Sequence, residues 1–391
     1  MSPTTTSHPD LKATLGGLLG PLTTGLPRLL SRFGHVCSIG LDLGPGALNM
    51  VQFERAGGRI CMRAAIFLPC DCRRDDFSGR PQRLREILKQ AYAQQPFKGK
   101  RVVSSLPAGE IKIITVNYKQ VKGRPDSVAV AAELRERMPE NLDDMVVDFM
   151  TLRQDDHQSE ESEALVAMAS RKSVLAYLEL LTGAGLEVDA LDVGPAALAR
   201  LVRHVGARNW AEFPLLPNVL LINFGAEASF LTVIWGRRLM LDRAVEFCEQ
   251  RLLSRLKQVL DLPEELARPL LYGKVSSPAA AGEEETAHTL AEVLRPEITA
   301  LLDEINKTLI YMASKTRGRS VDIIYLAGGA ARHAGILKIL REQLQVPVEI
   351  LNPVAVFASP ECAAKCDQQL GMQPGIALAT GLALRELPDR G

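Results

Sequence analysis

An internal repeat limits this chain more than any other feature. The stretch LLINFGAEASFLTVIWGRRLMLDRAVEF (Leu220–Phe247) lies over SIGLDLGPGALNMVQFE (Ser38–Glu54) and its continuation with an offset of 181 positions. Asn223 then falls on Asp42, Gly225 on Gly44, and Leu231–Ile234 on Met50–Phe53. Each copy continues into a Gly-Arg turn (Gly58-Arg59, Gly236-Arg237) and a third apolar run from Ile60 or Leu239. Self-similarity at this spacing predicts two related halves, each opening with a three-strand meander. A helix follows each meander: Pro81–Ala93, with Leu84, Ile87, Leu88 and Tyr92 on one face, and Gln250–Leu260. Two such halves imply a cleft with a Gly turn aimed into it from either side. A chain of 391 residues, too long for one compact core, fits two lobes.

A third Gly element stands near the C-terminus. In VDIIYLAGGAAR (Val321–Arg332) a buried-strand run meets Gly328-Gly329, and a helical pattern runs over Ala330–Leu344. Strand, Gly pair and helix start together make a plausible anion or ribose contact. The first half carries a β-rich insert over about 99–170, with strands at Arg101–Leu106, Ile111–Val116, Met145–Leu152 and Ala164–Ala169 and a helix at Ser127–Arg137. Further helices are expected at Arg171–Ala184, Ala196–Val205 and Ala287–Ser314, the last broken or capped near Pro296. The division is a 1–34 extension, a first lobe over 35–210 and a second over 211–391. The second lobe holds a helical part at about 248–316 and a closing helix at 374–387.

Composition excludes several classes. Lys+Arg and Asp+Glu both number 46, so charge gives no pointer to nucleic acid. Seven cysteines without paired CxxC sets predict neither structural zinc nor a disulfide framework, and a reduced intracellular chain is the default. No catalytic residue and no metal site are assigned. No apolar run is long enough for a membrane span. In the first 34 residues, eight leucines keep partial helical spacing among Lys12, Arg28 and Arg32. That pattern reads as a flexible or loosely docked extension, with a membrane-surface helix as the alternative.

The motifs SIGLDLGPGALNMVQF, LDVGPAALARLV, NVLLINFGAEASFLTVIWGRRLMLDRAV, IIYLAGGAARHAGI and GIALATGLALREL occur in the order of the actin-like ATPase plan. Over about Val36–Leu387 the chain resembles the PilM family of type IV pilus assembly proteins. The resemblance implies an α/β, actin-like (ribonuclease H-like, duplicated) bilobed fold with a β-rich subdomain inserted in the first lobe. It implies a cytoplasmic adaptor, peripheral to the inner membrane, that binds ATP or ADP with Mg2+ between its lobes. It also implies a partner: the cytoplasmic N-terminal peptide of a PilN-like bitopic inner-membrane protein. Through it come links to a PilO-like protein and the assembly and retraction motors.

Carried onto this chain, the nucleotide-binding positions are Asp42, Gly44, Gly46 and Asn49 in the first turn, and Asn223, Gly225 and Ser229 in the second. Gly328, Gly329 and Ala330 form the third group. Several departures weaken the site. Pro45 lacks an N–H donor, Asn49 is neutral where the family has a cation, and Asn223 replaces a carboxylate suited to Mg2+. Cys248-Glu249-Gln250 stands where a Gly-Gly pair would meet phosphate, and Pro269 interrupts the helix at LPEELARPLLYGK. The expectation is a degenerate site on a non-catalytic scaffold, with an active ATPase or sugar kinase as the alternative. A cell-division actin such as FtsA would need an amphipathic tail beyond RELPDRG, and a GspL-like chain a membrane span. The peptide groove is placed on Val102, Val103, Ile111 and Ile113, because a strand edge flanked by apolar pockets gives both affinity and specificity.

Overall fold

The structure is a computed structural model describing residues 35–387, apart from 57–58, 70–79, 121–122, 124, 139–141, 153–160, 210–215, 237, 272–279, 355–356 and 358–372. The expectation for the 1–34 extension therefore lies outside the described residues.

Two five-strand paths share one topology. In the first, β2 (Ile39–Gly44), β3 (Ala47–Ala56) and β4 (Arg59–Pro69) form the meander. To it are added β5 (Arg101–Ser105) and β9 (Glu187–Asp192), giving the order β4-β3-β2-β5-β9, with short β1 (His35–Val36) on the far end of β3. In the second, the order is β12-β11-β10-β13-β14, from β10 (Asn218–Phe224), β11 (Ser229–Trp235), β12 (Arg238–Val245), β13 (Ile323–Gly328) and β14 (Val348–Ile350). Both meanders are antiparallel, and the added strands run parallel to the first strand of each. The repeat extends to register: Asp42 pairs with Asn49 and Asn223 with Phe230, each position displaced by the same 181 residues.

The sheets are buried on both faces, which is why β10 reads as the nearly continuous apolar run NVLLINF. One outer core packs Ile39, Leu41 and Met50 against α1 (Pro81–Gln94) and α3 (Arg171–Gly183). The other packs Leu220, Ile222 and Leu326 against α5 (Glu249–Leu260), α7 (Ala280–Lys315) and α8 (Ala334–Gln343). Between the sheets, α4 (Gly194–Asn209) and α9 (Ala377–Ala383) share a central core with Phe53 from the first sheet and Leu221 and Tyr325 from the second. Each large aliphatic chain fully buried here contributes about 2 kcal/mol.

Small residues allow the close fit of α9. A Cβ on Gly40 would lie 2.0 Å from the Ala379 carbonyl oxygen, and one on Gly381 would lie 2.2 Å from that of Ala197. The closing helix therefore packs on β2 and α4. This corrects its placement with the second lobe: the chain returns to the first sheet after finishing the second.

The insert is also narrower than expected. Strand β5 belongs to the main sheet, and the separate unit is the sheet β6-β8-β7 covered by α2 (Asp126–Arg137). Its strands are β6 (Ile111–Lys119), β7 (Met145–Leu152) and β8 (Glu161–Ser170). Helix α7 runs through Pro296 without a break, held on both sides by fully buried Leu294 and Ile298. Pro269 likewise lies inside a helix, α6 (Glu264–Leu271). Cys37 and Cys248 are buried free thiols, whereas Cys61 is disulfide-bonded, which departs from the all-reduced expectation.

Candidate functional site: the turns between the sheets

Parallel pairing puts the ends of β2 and β5 on one side of the first sheet, and those of β10 and β13 on one side of the second. The first turn is the two-residue connection Pro45-Gly46. Proline at its first central position and glycine with φ 91° at its second are what such a turn demands. Gly44 is not sterically required, since a Cβ there would meet only the Ala47 carbonyl oxygen, at 3.7 Å. In the second turn the matched Gly225 is required, because its Cβ would lie 2.2 Å from the Ala228 carbonyl oxygen. Gly328 is required twice over: its φ is 85°, and a Cβ would fall 2.0 Å from the Phe224 carbonyl oxygen. Gly329 and Ala330 continue into a tight 3-10 turn ending at Arg332, with Ala330 buried.

The polar groups are largely committed to one another. Asn49 donates through Nδ2 to Asp42 Oδ2 at 2.9 Å. Burial pushes the Asp42 carboxyl up to about 6, with the Asn49 bond opposing it. Beneath them Ser104 donates to the Leu41 carbonyl and meets the Tyr177 hydroxyl, whose pKa burial raises. At the start of α5, the Glu249 and Gln250 N–H groups donate to the Gly225 and Ala226 carbonyls, at 3.1 and 3.0 Å. Two donors that a helix N-terminus would offer an anion are thereby taken by the second turn. The Glu249 carboxylate sits beside them, paired with Arg268 at 3.1 Å.

Among the described residues of these turns, two buried oxygens have no hydrogen-bond partner: Asn49 Oδ1 and Ser229 Oγ. The first accepts only, which does not suit a phosphate oxygen. The second can donate. A Mg2+-triphosphate needs cations, several free amides and carboxylates for the metal. The described turns offer one half-buried carboxylate held by an amide, one hydroxyl, and a helix start whose first amides are spent.

A fourth element joins the turns. The segment Pro374–Ile376 packs against β3 and β4 on one side and against β13 and the Gly329–Arg332 turn on the other. Gly375 lies against Phe67, and Arg332 reaches the Gln373 side-chain oxygen at 3.0 Å. Nothing in the repeat pointed to it, and Pro374-Gly375 was the one local signal.

The peptide-groove positions divide. Val102 and Val103 are buried at 0% and 1%, in a strand paired on both sides by β2 and β9, so they cannot line a groove and that placement is corrected. Their apolar run marks a central strand, not an edge. Ile111 and Ile113 lie on β6, which among the described residues pairs with β8 alone. They are half-buried, turned toward the outer core of the first lobe and the central core. The opposite edge, β7, went unrecognised, yet it exposes Val146 (42%), Val147 (36%) and Met150 (44%). The readable signal was an apolar strand, MVVDFMTL, too rich for one covered face.

The sequence pattern of the family "Type IV pilus assembly protein PilM" matches residues 40–387. The chain belongs to the PilM family. Its structure is similar to one solved as a "PilM-PilN type IV pilus biogenesis complex", with a TM-score of 0.71 and 24% identity, covering 90% of this chain and 98% of that one. More distant likeness is found in the ethanolamine utilization protein EutJ from Carboxydothermus hydrogenoformans (TM-score 0.48, 14% identity, 90% and 89% coverage). MreB5 of Spiroplasma citri bound to ADP is comparably remote (TM-score 0.45, 12% identity, 91% and 97% coverage). This PilM-family chain shares the two-sheet α/β fold of that complex structure, and the family's role lies in type IV pilus assembly. Among the described residues, no helix is long and apolar enough to cross a membrane.

Proposed function

We propose that this PilM-family chain is a non-catalytic scaffold of pilus assembly whose insert sheet holds an extended peptide from a PilN-like inner-membrane protein. The carrying observation is β7, an edge strand with three large apolar side chains exposed on eight residues. A strand added to that edge gains main-chain hydrogen bonds, and Val146 and Met150 supply side-chain contact on one face. The half-buried Ile111 and Ile113 of β6 back the same sheet. In this reading the chain works in the cytoplasm, against the inner membrane through its partner, and passes contact on to a PilO-like protein and the motor ATPases.

Calorimetric titration with the N-terminal peptide of the PilN-like neighbour tests it. Micromolar binding is expected, weakened at least about tenfold by Met150→Glu, since a charge there must be desolvated. No binding at high micromolar concentration, or binding that ignores Met150→Glu and Val146→Glu, counts against the β7 edge.

The nucleotide site is proposed to be degenerate, supported by the amides of Glu249 and Gln250 spent on the second turn and by Asn49 held on Asp42. The unpartnered Ser229 hydroxyl favours a second reading, in which ADP or ATP is still held without turnover. Thermal unfolding with millimolar Mg-ATP or ADP separates the two: no shift is expected, and a rise of several degrees restores a ligand to the cleft.

A further inference from the structure

At the other end of the first sheet, a bowl of about 620 Å³ opens where β5 and β9 begin. Its floor is apolar, from the buried Leu88, Phe97 and Leu186 with the ring of Tyr92. Its rim is cationic: Arg85, Lys89, Lys98 and Lys100 all line it and all are exposed, and no carboxylate is among the lining residues.

The bowl is held open by design of its wall. Gln52, buried at 1% in β3, donates to the Lys98 carbonyl at 2.7 Å and accepts from the Lys98 N–H at 2.8 Å. Tyr92 donates its hydroxyl to the Gly99 carbonyl, and Phe97 meets the Tyr92 ring edge-on at 5.8 Å. The Lys100 carbonyl accepts from Glu187, and the Gly183 carbonyl accepts from Arg85. Across the mouth, the N–H groups of Ala184, Gly185 and Leu186 close the end of α3.

These pairings decide the kind of ligand. Many of the wall's backbone groups are already spent in these bonds, so a peptide would find little main-chain partnership there. What remains is positive charge outside and apolar surface within. That order suits an amphiphile whose anionic group stays at the rim while its apolar part enters.

We propose that this bowl binds an anionic phospholipid, with the phosphate held at its cationic rim and the apolar part entering over its floor, so that this end of the first lobe meets the bilayer directly. The contact is separate from the peptide edge on β7, and its test uses no partner peptide, so the two readings fail independently.

The full chain is sedimented with vesicles of phosphatidylcholine, and of phosphatidylcholine with roughly 30% phosphatidylglycerol. Binding only to the second is expected, weakening with salt. Lys98→Glu with Lys100→Glu should lower it about tenfold, and adding Lys89→Glu further. The same charge change on the insert, Lys112→Glu with Lys119→Glu, should leave it in place. Equal binding to both vesicles, no loss in the rim variants, or equal loss in the insert variants overturns the proposal. Release of bound protein by low-millimolar inorganic phosphate or glycerol 3-phosphate assigns the rim to a soluble phosphate ester and overturns the lipid. Circular dichroism of each variant separates loss of binding from loss of fold.

Discussion

The two hairpins that open the sheets share register residue for residue, yet their turns are held by different means. In the first, a Pro-Gly connection makes the turn, and Gly44 beside it has room for a side chain. In the second, Gly225 has none, because the loop folds back until the Ala228 carbonyl stands where a Cβ would be. The first hairpin half-buries an acid under its turn, and the second fully buries a hydroxyl. A repeated glycine therefore does not mean a repeated reason for glycine.

The largest expected effect sets that contrast directly. Gly225→Ala should cost about 3 kcal/mol in urea unfolding, since backbone must shift to admit the methyl group. Gly44→Ala should cost under about 1 kcal/mol, and equal costs would mean that the turns are held alike. Next comes Asp42→Asn. The folded pKa of Asp42 is raised to about 6 from 3.8, so its protonated form favours the folded state. That stability is fully present below about pH 4 and is lost as pH rises through 6. The amide should therefore stabilise the chain at pH 7.5 by about 2 kcal/mol and flatten its pH dependence between 4 and 6. Asp242 in the second lobe is raised to about 6 by burial, against a 2.6 Å bond from Thr232, and keeps its own share of that slope. A slope unchanged in Asp42→Asn would remove the first carboxyl from the account. The smallest effect belongs to Ser229→Ala. Its hydroxyl has no partner, so unfolding should change by less than about 1 kcal/mol, toward greater stability.

Much of the fold was legible because the repeat carries topology. The offset that aligned Asp42 with Asn223 also predicted which strands pair, and the registers follow it. Strand β9 was not legible: EVDALD has no apolar run, and it forms because β5 needs a partner on its outer side. Val102 and Val103 misled for the converse reason, since an apolar strand says that both faces are covered without saying whether an edge is free. The turns could be named from glycine and aspartate alone. What the amides of Glu249 and Gln250 do, and that Pro374–Ile376 crosses to the turns, depends on segments far apart in the chain. The basic bowl is further still from view, because its rim and floor come from α1, the loop after it and the end of α3.

The fit of α9 against Gly40 and Gly381 also has a meaning in time. The first lobe's strands leave the ribosome before those of the second, but the helix that covers their inner face is made only after every strand of the second sheet. Until then Val51 and Phe53 have no lid on that side from α9, and the second sheet must form beside an unfinished first one. Folding during synthesis, which for many chains proceeds domain by domain from the N-terminus, is here expected to run backward at this point, with the first sheet sealed only after the second has been made.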